Sequence, residues 1–180
     1  MSDLFSEGHI RNVYQNLKRR KFLDRGKKLP IGVDGVSSDV FDKKLDCSIR
    51  EIQRKLVLQN GEVPYTFAPL LRITRNKPDG GMRLLHIPRL RDQIVLRLIH
   101  DEIRIQMDKV FKQVEYKSPY ALINDFDQFI QTHKNAVILK SDLAKFYDSV
   151  PREKAVELCR TFEVNMTVIQ ILEKWSHTLT

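Results

Sequence analysis

Residues 70–87 have the sequence LLRITRNKPDGGMRLLHI, and this stretch decides the fold class predicted for the chain. The runs LLRIT and RLLHI are short and rich in β-prone side chains. The KPDGG segment between them has the chemistry of a turn, because proline fixes φ and glycine accepts a positive φ. The stretch therefore predicts a β-hairpin.

Helices are predicted on both sides of this hairpin, because apolar residues recur there at three- and four-residue spacing. Ser37 or Ser38 is expected to cap a helix that stops at Asn60-Gly61, since glycine readily takes the left-handed conformation. A long helix is expected from Asp92. The apolar stripes are Phe41, Leu45, Ile49, Ile52 and Leu56 in the first helix, and Ile94, Val95, Leu98, Ile99, Ile103, Met107, Val110 and Phe111 in the second.

The rest of the chain is predicted to add more helix and one strand. Residues 1–30 are expected to be helical and basic, and a further helix is expected after Ser118. The apolar run AVILK (136–140) predicts a buried strand, and residues 151–178 predict two helices joined near Asn165. The predicted fold class is α+β, rich in helix and with a basic β-hairpin.

The composition indicates a globular protein with a basic excess. Hydrophobic residues make up 42% of the chain and charged residues 30%, which excludes a disordered chain. The formal net charge of +8 favours a polyanionic partner such as nucleic acid. A basic protein without such a partner is the alternative that composition leaves open.

Several function classes are disfavoured by what the sequence does not contain. Cys47 and Cys159 stand alone, without zinc-site spacing, and they favour a reducing, cytoplasmic environment. No apolar run approaches the roughly 20 residues that cross a bilayer, so no membrane partner is expected. The glycine-rich phosphate loops of nucleotide hydrolases and dinucleotide enzymes do not occur.

Positive charge is concentrated around the predicted hairpin. Asp79 is the one acidic residue between positions 72 and 91. The cations of this region are Arg72, Arg75, Lys77, Arg83, Arg89 and Arg91. Such a local excess favours phosphate binding over an ordinary solvated surface.

Residues 141–150, SDLAKFYDSV, follow the predicted strand directly and place Asp142 at its end. A carboxylate in that position can hold Mg²⁺, a hard ion that prefers oxygen ligands. On residue chemistry alone, an aspartate that closes a strand is more often a turn or capping residue, and both interpretations stay open. Asp148 is expected to be such a turn or helix-capping residue.

Four segments stand in chain order with regular spacing: GVDGVSSDVFDKKL (32–45), KPDGGMRLLHIPRLRDQIVLRLIHDEI (77–103), YKSPYAL (116–122) and SDLAKFYDSV (141–150). Together they resemble the reverse transcriptases of group II introns and their bacterial relatives, a family that includes mobile-element enzymes and enzymes of antiviral defence. The third segment departs from the family pattern, because its usual arginine is not evident.

The resemblance implies the fingers and partial palm of a right-hand polymerase. Residues 1–35 are then a basic N-terminal helical extension and 36–91 the fingers. Residues 92–150 begin the palm, and 151–180 return as helices to the fingers. The family's later Tyr-x-Asp-Asp segment is not in this sequence. The chain is therefore expected to stop before the palm is complete, to be inactive by itself, and to self-associate through the incomplete palm.

The activity that the resemblance implies is RNA-directed DNA polymerisation with two Mg²⁺ ions. Asp142 is the expected catalytic carboxylate and, with the carbonyl of Leu143, a metal ligand. Deoxynucleotide triphosphates, an RNA template and a DNA or RNA primer are the expected partners. The implied nucleotide-binding residues are Lys77, Arg83, Lys145, Phe146 and Tyr147, and the implied nucleic-acid-binding residues are Arg75, Arg89, Arg91, Ser118 and Tyr120.

Two other functions are compatible with the sequence. One is a non-catalytic RNA-binding module derived from reverse-transcriptase fingers, which needs the basic hairpin but not Asp142. The other is a protein-interaction domain with a basic face, which would bind no nucleic acid at low salt.

Overall fold

The predicted hairpin is present in the computed structural model, which describes residues 3–25, 28–76, 80–110, 119–133, 137 and 150–178. Strand β1 (Leu71–Asn76) pairs antiparallel with β2 (Met82–Ile87), and Leu71 is opposite Ile87 at the base of the hairpin. Within the described ranges these two strands form a sheet of their own. The α+β class predicted from the sequence is confirmed.

Helices make up most of the described chain. After a short 3₁₀ turn at Asp3–Phe5 come α1 (Glu7–Arg25), α2 (Ser38–Asp42), α3 (Leu45–Leu56), α4 (Leu90–Val110), α5 (Pro119–Thr132), α6 (Arg152–Thr161) and α7 (Met166–Thr178). The long helix expected from Asp92 and the pair joined near Asn165 are therefore confirmed. The Asn165 side chain caps the last helix by accepting a hydrogen bond from the Thr167 N–H at 2.8 Å.

The segment before the hairpin differs from the prediction of one continuous helix. Ser37 does cap α2, because its hydroxyl accepts a hydrogen bond from the Val40 N–H at 3.3 Å. The helix is then interrupted at Lys43 and Lys44. Lys44 is the N-cap residue that precedes α3, and its backbone has φ −125° and ψ 27°. The apolar spacing continues across the break, which is why the sequence pattern does not reveal it.

The prediction that Asn60-Gly61 stops this helix was wrong. Helix α3 already ends at Leu56. Asn60 and Gly61 have φ values of 52° and 82°, and they form a tight turn that is closed by hydrogen bonds between Gln59 and Glu62. Two successive residues with positive φ are what a two-residue hairpin turn requires, and Asn-Gly is its preferred sequence.

One hydrophobic core joins the N-terminal, central and C-terminal helices. Helix α1 packs on α3 and α4, and α7 packs on α4 and α6. The buried side chains of this core include Ile10, Tyr14, Phe41, Ile49, Ile52, Leu56, Tyr65, Ile94, Leu98, Val156, Val168 and Ile171. Helix α7 also fixes the segment between α3 and the hairpin, because the Gln170 side chain hydrogen-bonds the backbone of Gly61 and Val63.

Two predicted elements lie away from this core. Helix α5 occurs where the sequence predicts it, but its apolar side chains are exposed. Of the predicted strand 136–140 the structure describes Val137 alone, which is 94% exposed and outside regular secondary structure. The burial predicted for Val137 is thus not observed, and the other residues of that strand lie outside the described residues.

Candidate nucleic-acid interface

The register of the hairpin sorts its side chains onto two faces. Cross-strand partners share a face, and successive residues along a strand alternate between faces. One face carries Leu71, Ile73 and Arg75 of β1 opposite Ile87, Leu85 and Arg83 of β2. The other face carries Arg72 opposite His86. The apolar pairs near the base are partly buried, whereas the Arg75–Arg83 pair lies exposed towards the turn.

Three arginines of the hairpin strands pair with none of the residues that the structure describes. Arg72, Arg75 and Arg83 are exposed, and none makes a salt bridge or hydrogen bond with a described residue. Neither strand contains an acidic residue. The two described strands therefore present positive charge to solvent, as expected of a surface that binds phosphate.

Arg89 has a different environment, at the base of the hairpin. Its Nε lies 2.9 Å from Oδ2 of Asp92, and its Nη2 donates to the Thr66 carbonyl at 3.0 Å. Asp92 is fully buried and also accepts hydrogen bonds from the Tyr65 hydroxyl at 2.6 Å and the Ala68 N–H at 3.2 Å. This network fixes the segment that leads into β1 against the first turn of α4.

Protonation in this buried network is settled by its surroundings. Burial and the adjacent Asp92 carboxylate raise the pKa of Tyr65 far above its ordinary value, so its hydroxyl stays a donor. Burial lowers the pKa of Arg89, but its interactions with Asp92 and Tyr65 together outweigh that effect, and the net change is upward. A charged Arg89 thus accompanies a neutral Tyr65.

Arg91 also contacts an acidic side chain. Its Nη1 lies 2.5 Å from Oε2 of Glu51 in α3, and Lys55 lies 3.1 Å from the other oxygen of the same carboxylate. The predicted contacts of Arg89 and Arg91 with a template backbone stay predictions. In the structure both guanidinium groups tie elements of the fold together.

The GVDG segment meets the start of α4. A Cβ on Gly32 would lie 2.3 Å from Cα of Arg89, so only glycine permits this approach. The side-chain amide of Gln93 donates to the carbonyls of Pro30 and Pro88, at 3.0 Å and 2.8 Å. Two of the segments that carry the family resemblance are therefore in direct contact, although they are distant in sequence.

Part of the basic N-terminal region is neutralised within the fold. Arg11 and Lys18 of α1 pair with acidic residues of α3 and α2 and thereby hold α1 against these helices, and Lys28, which follows α1, pairs with α2. The ion pairs are Arg11–Asp46 at 2.6 Å, Lys18–Asp42 at 2.5 Å and Lys28–Asp39 at 2.6 Å. The Tyr14 hydroxyl also donates to Asp42, at 2.7 Å.

Most of the predicted catalytic and nucleotide-binding residues, together with the predicted nucleic-acid-binding residue Ser118, lie outside the described residues. These are Lys77, Ser118, Asp142, Leu143, Lys145, Phe146 and Tyr147. Tyr120 is described and is 80% exposed on α5. Among the described residues, no cluster of three or more His, Cys, Asp or Glu side chains could hold a metal ion.

The residues that position the hairpin were not predicted from the sequence. Asp92 stands in the first turn of a predicted helix, where an acidic residue is ordinary because it complements the helix dipole. Its burial and its contact with Tyr65 depend on tertiary packing. The tyrosine in VPYTF offered no signal that it would donate to a carboxylate on a distant helix.

No protein-family model matches this chain, and no curated protein was found to be similar to it. Among the helices that the structure describes, none has the length and apolar character needed to cross a membrane.

Proposed function

We propose that this chain is the N-terminal part, namely the fingers and the start of the palm, of an RNA-directed DNA polymerase. The observation that carries the proposal is the contact between GVDG and the start of α4, where Gly32 packs directly against the backbone of Arg89. Segments recognised independently in the sequence pack together beside a basic hairpin, as expected if they form one functional unit.

The hairpin supplies the chemistry that such a unit needs for its substrates. Its exposed arginines are suited to phosphate, because guanidinium presents a fixed fork of donors that matches phosphate oxygens. Asp142 and the Leu143 carbonyl are oxygen donors of the kind that Mg²⁺ prefers. Bound Mg²⁺ would stabilise the charge that develops during nucleotidyl transfer.

The proposal is tested by primer extension with the complete product of the gene that encodes this sequence. With an RNA template, a primer and Mg²⁺, we expect synthesis from deoxynucleotides in preference to ribonucleotides. Asp142→Asn is expected to abolish synthesis while RNA binding is retained. Asp148→Asn, which removes a charge six residues away, is the matched control and should keep synthesis. Full activity of Asp142→Asn would refute the proposal.

A non-catalytic RNA-binding module is the second candidate function. It is favoured by the unpaired cations of the hairpin, which suffice for salt-sensitive RNA binding without any metal. This function predicts RNA binding that is unchanged by Asp142→Asn, together with no synthesis by the complete product under any of the conditions above.

A further inference from the structure

We propose that Arg75 and Arg83 form a single phosphate-binding site on the hairpin and do not contact two separate ligands. The inference rests on the proposed function, because that function requires substrates that carry phosphate. It goes beyond that function by stating which cations act on the same group. The resemblance had assigned Arg83 to the nucleotide and Arg75 to the nucleic acid.

The strand register places the two arginines together. Arg75 is the direct cross-strand partner of Arg83, so both side chains leave the same face of the hairpin. The Cβ atoms of such partners are about 4.5–5.5 Å apart. Two guanidinium groups that start so close together can contact oxygens of the same phosphate. A phosphate bound by one arginine therefore lies within reach of the other.

Among the described residues, no acidic group offsets the like charges of this pair. Like charges directly opposite each other destabilise a pair of strands, and neither strand supplies an acidic residue to offset them. Neither arginine makes a hydrogen bond or salt bridge with a described residue. A doubly coordinated phosphate removes the repulsion and accepts charge-assisted hydrogen bonds from both guanidinium groups. Within the described part of the chain, the two arginines thus make their favourable contacts only when a ligand is bound.

The shared chemistry is an anionic phosphate with two or more non-bridging oxygens, either in a polyphosphate chain or along a nucleic-acid backbone. The experiment has one arm for each source. The first measures binding of inorganic tripolyphosphate by calorimetry, and the second measures binding of a single-stranded RNA oligonucleotide by fluorescence anisotropy at low salt. Both use the 180-residue chain.

Binding is measured for the unsubstituted chain, Arg75→Gln, Arg83→Gln and the double variant. For the probe that binds at the arginine pair, whether tripolyphosphate or RNA, each single substitution is expected to weaken binding about 10-fold or more. The double variant should lose little beyond either single variant, because the site is already broken. Arg72→Gln is the matched control: it removes the same charge from the same hairpin but on the opposite face, and it should weaken binding less than about threefold.

The thermal transition without ligand is an independent measurement. Each single substitution is expected to raise the Tm by about 1–2 °C, because it removes the repulsion between the arginines. The double variant should add little further. The ligand that binds the pair should raise the Tm of the unsubstituted chain more than that of either variant.

The results separate this inference from the proposed function. Losses that multiply in the double variant, or Arg75→Gln weakening RNA alone while Arg83→Gln weakens tripolyphosphate alone, would overturn the single site and leave the polymerase proposal intact. Failure of the unsubstituted chain to bind either probe would also overturn it. Non-additive losses combined with no primer extension by the complete gene product would support the pair and refute the polymerase.

Discussion

Asp92 is the residue on which the position of the hairpin depends most directly. Its buried carboxylate receives the Tyr65 hydroxyl, the Ala68 N–H and Arg89, and so connects the first turn of α4 to the segment before β1. Removing one of several partners of a buried carboxylate costs less stability than removing the carboxylate itself, because the second change leaves all of its partners without their acceptor or counter-charge. This difference gives a ranking of substitutions.

Asp92→Ala is expected to lower the free energy of unfolding by about 3–5 kcal/mol, because it leaves the buried Tyr65 hydroxyl and Arg89 uncompensated. Tyr65→Phe should cost about 1–2 kcal/mol, since the carboxylate keeps the Ala68 N–H as a donor and Arg89 as an ion-pair partner. Urea denaturation of both variants measures the two values. Equal costs would show that the network does not centre on Asp92.

At the scale of single residues, sequence predicts local chemistry and misses tertiary partners. Ser37 or Ser38 was predicted to cap the helix, and Ser37 does so, because its hydroxyl accepts a hydrogen bond from the N–H of Val40, three residues away. Arg75 and Arg89 both looked like free cations, yet a buried carboxylate contacts Arg89 and none of the described residues pairs with Arg75. The difference between the two arginines arises only when α4 packs against the segment before β1 in the folded protein.

At the scale of elements, the β-hairpin was predictable because its turn and strands are encoded within one short stretch. The boundaries of α2 and α3 were not, since the apolar spacing from Phe41 to Leu56 suits one helix as well as two. Asn60-Gly61 was predicted to stop the helix, because glycine readily takes the left-handed conformation, and this prediction was wrong. The dipeptide closes a small bridge between Gln59 and Glu62 and does not end α3.

The attachment of α1 to α2 and α3 should be sensitive to acid. Partial burial raises the pKa of Asp42, but hydrogen bonds from Lys18 and Tyr14 and the charge of Lys18 lower it more, so the net change is downward. The hydrogen bond and charge of Arg11 also lower the pKa of Asp46. A lowered pKa in the folded state stabilises the fold above the unfolded-state pKa of about 4, and this stability is lost as pH falls below that value.

We therefore expect the Tm to fall between pH 5 and about pH 3, which thermal denaturation followed by circular dichroism measures. Asp42→Asn should cost on the order of 0.5 kcal/mol at pH 7, because the pair is partly exposed, and it should lose less Tm on acidification. Asp127→Asn is the control, since this carboxylate on α5 pairs with no described residue. An identical acid response of all three proteins would contradict the role of Asp42.

At the scale of the whole molecule, the described chain combines a shared core with one helix that lies outside it. The core links α1, α3, α4, α6 and α7 into one packed body. Helix α5 was predicted from the sequence, but a sequence pattern alone cannot say what covers the apolar side chains of a helix. Those of α5 are exposed: Tyr120, Leu122, Ile123, Phe126, Phe129 and Ile130.

An apolar helical face of this kind favours association, because removing it from water is worth roughly 25 cal/mol for each Å² buried. We expect sedimentation velocity to show a mass that rises above the monomer value of 21.2 kDa with increasing concentration. The double substitution Phe126→Glu and Phe129→Glu should suppress the rise. Leu158→Glu, at an equally exposed position on α6, is the control and should not. A single monomeric species of the unsubstituted chain at all concentrations would show that α5 drives no self-association.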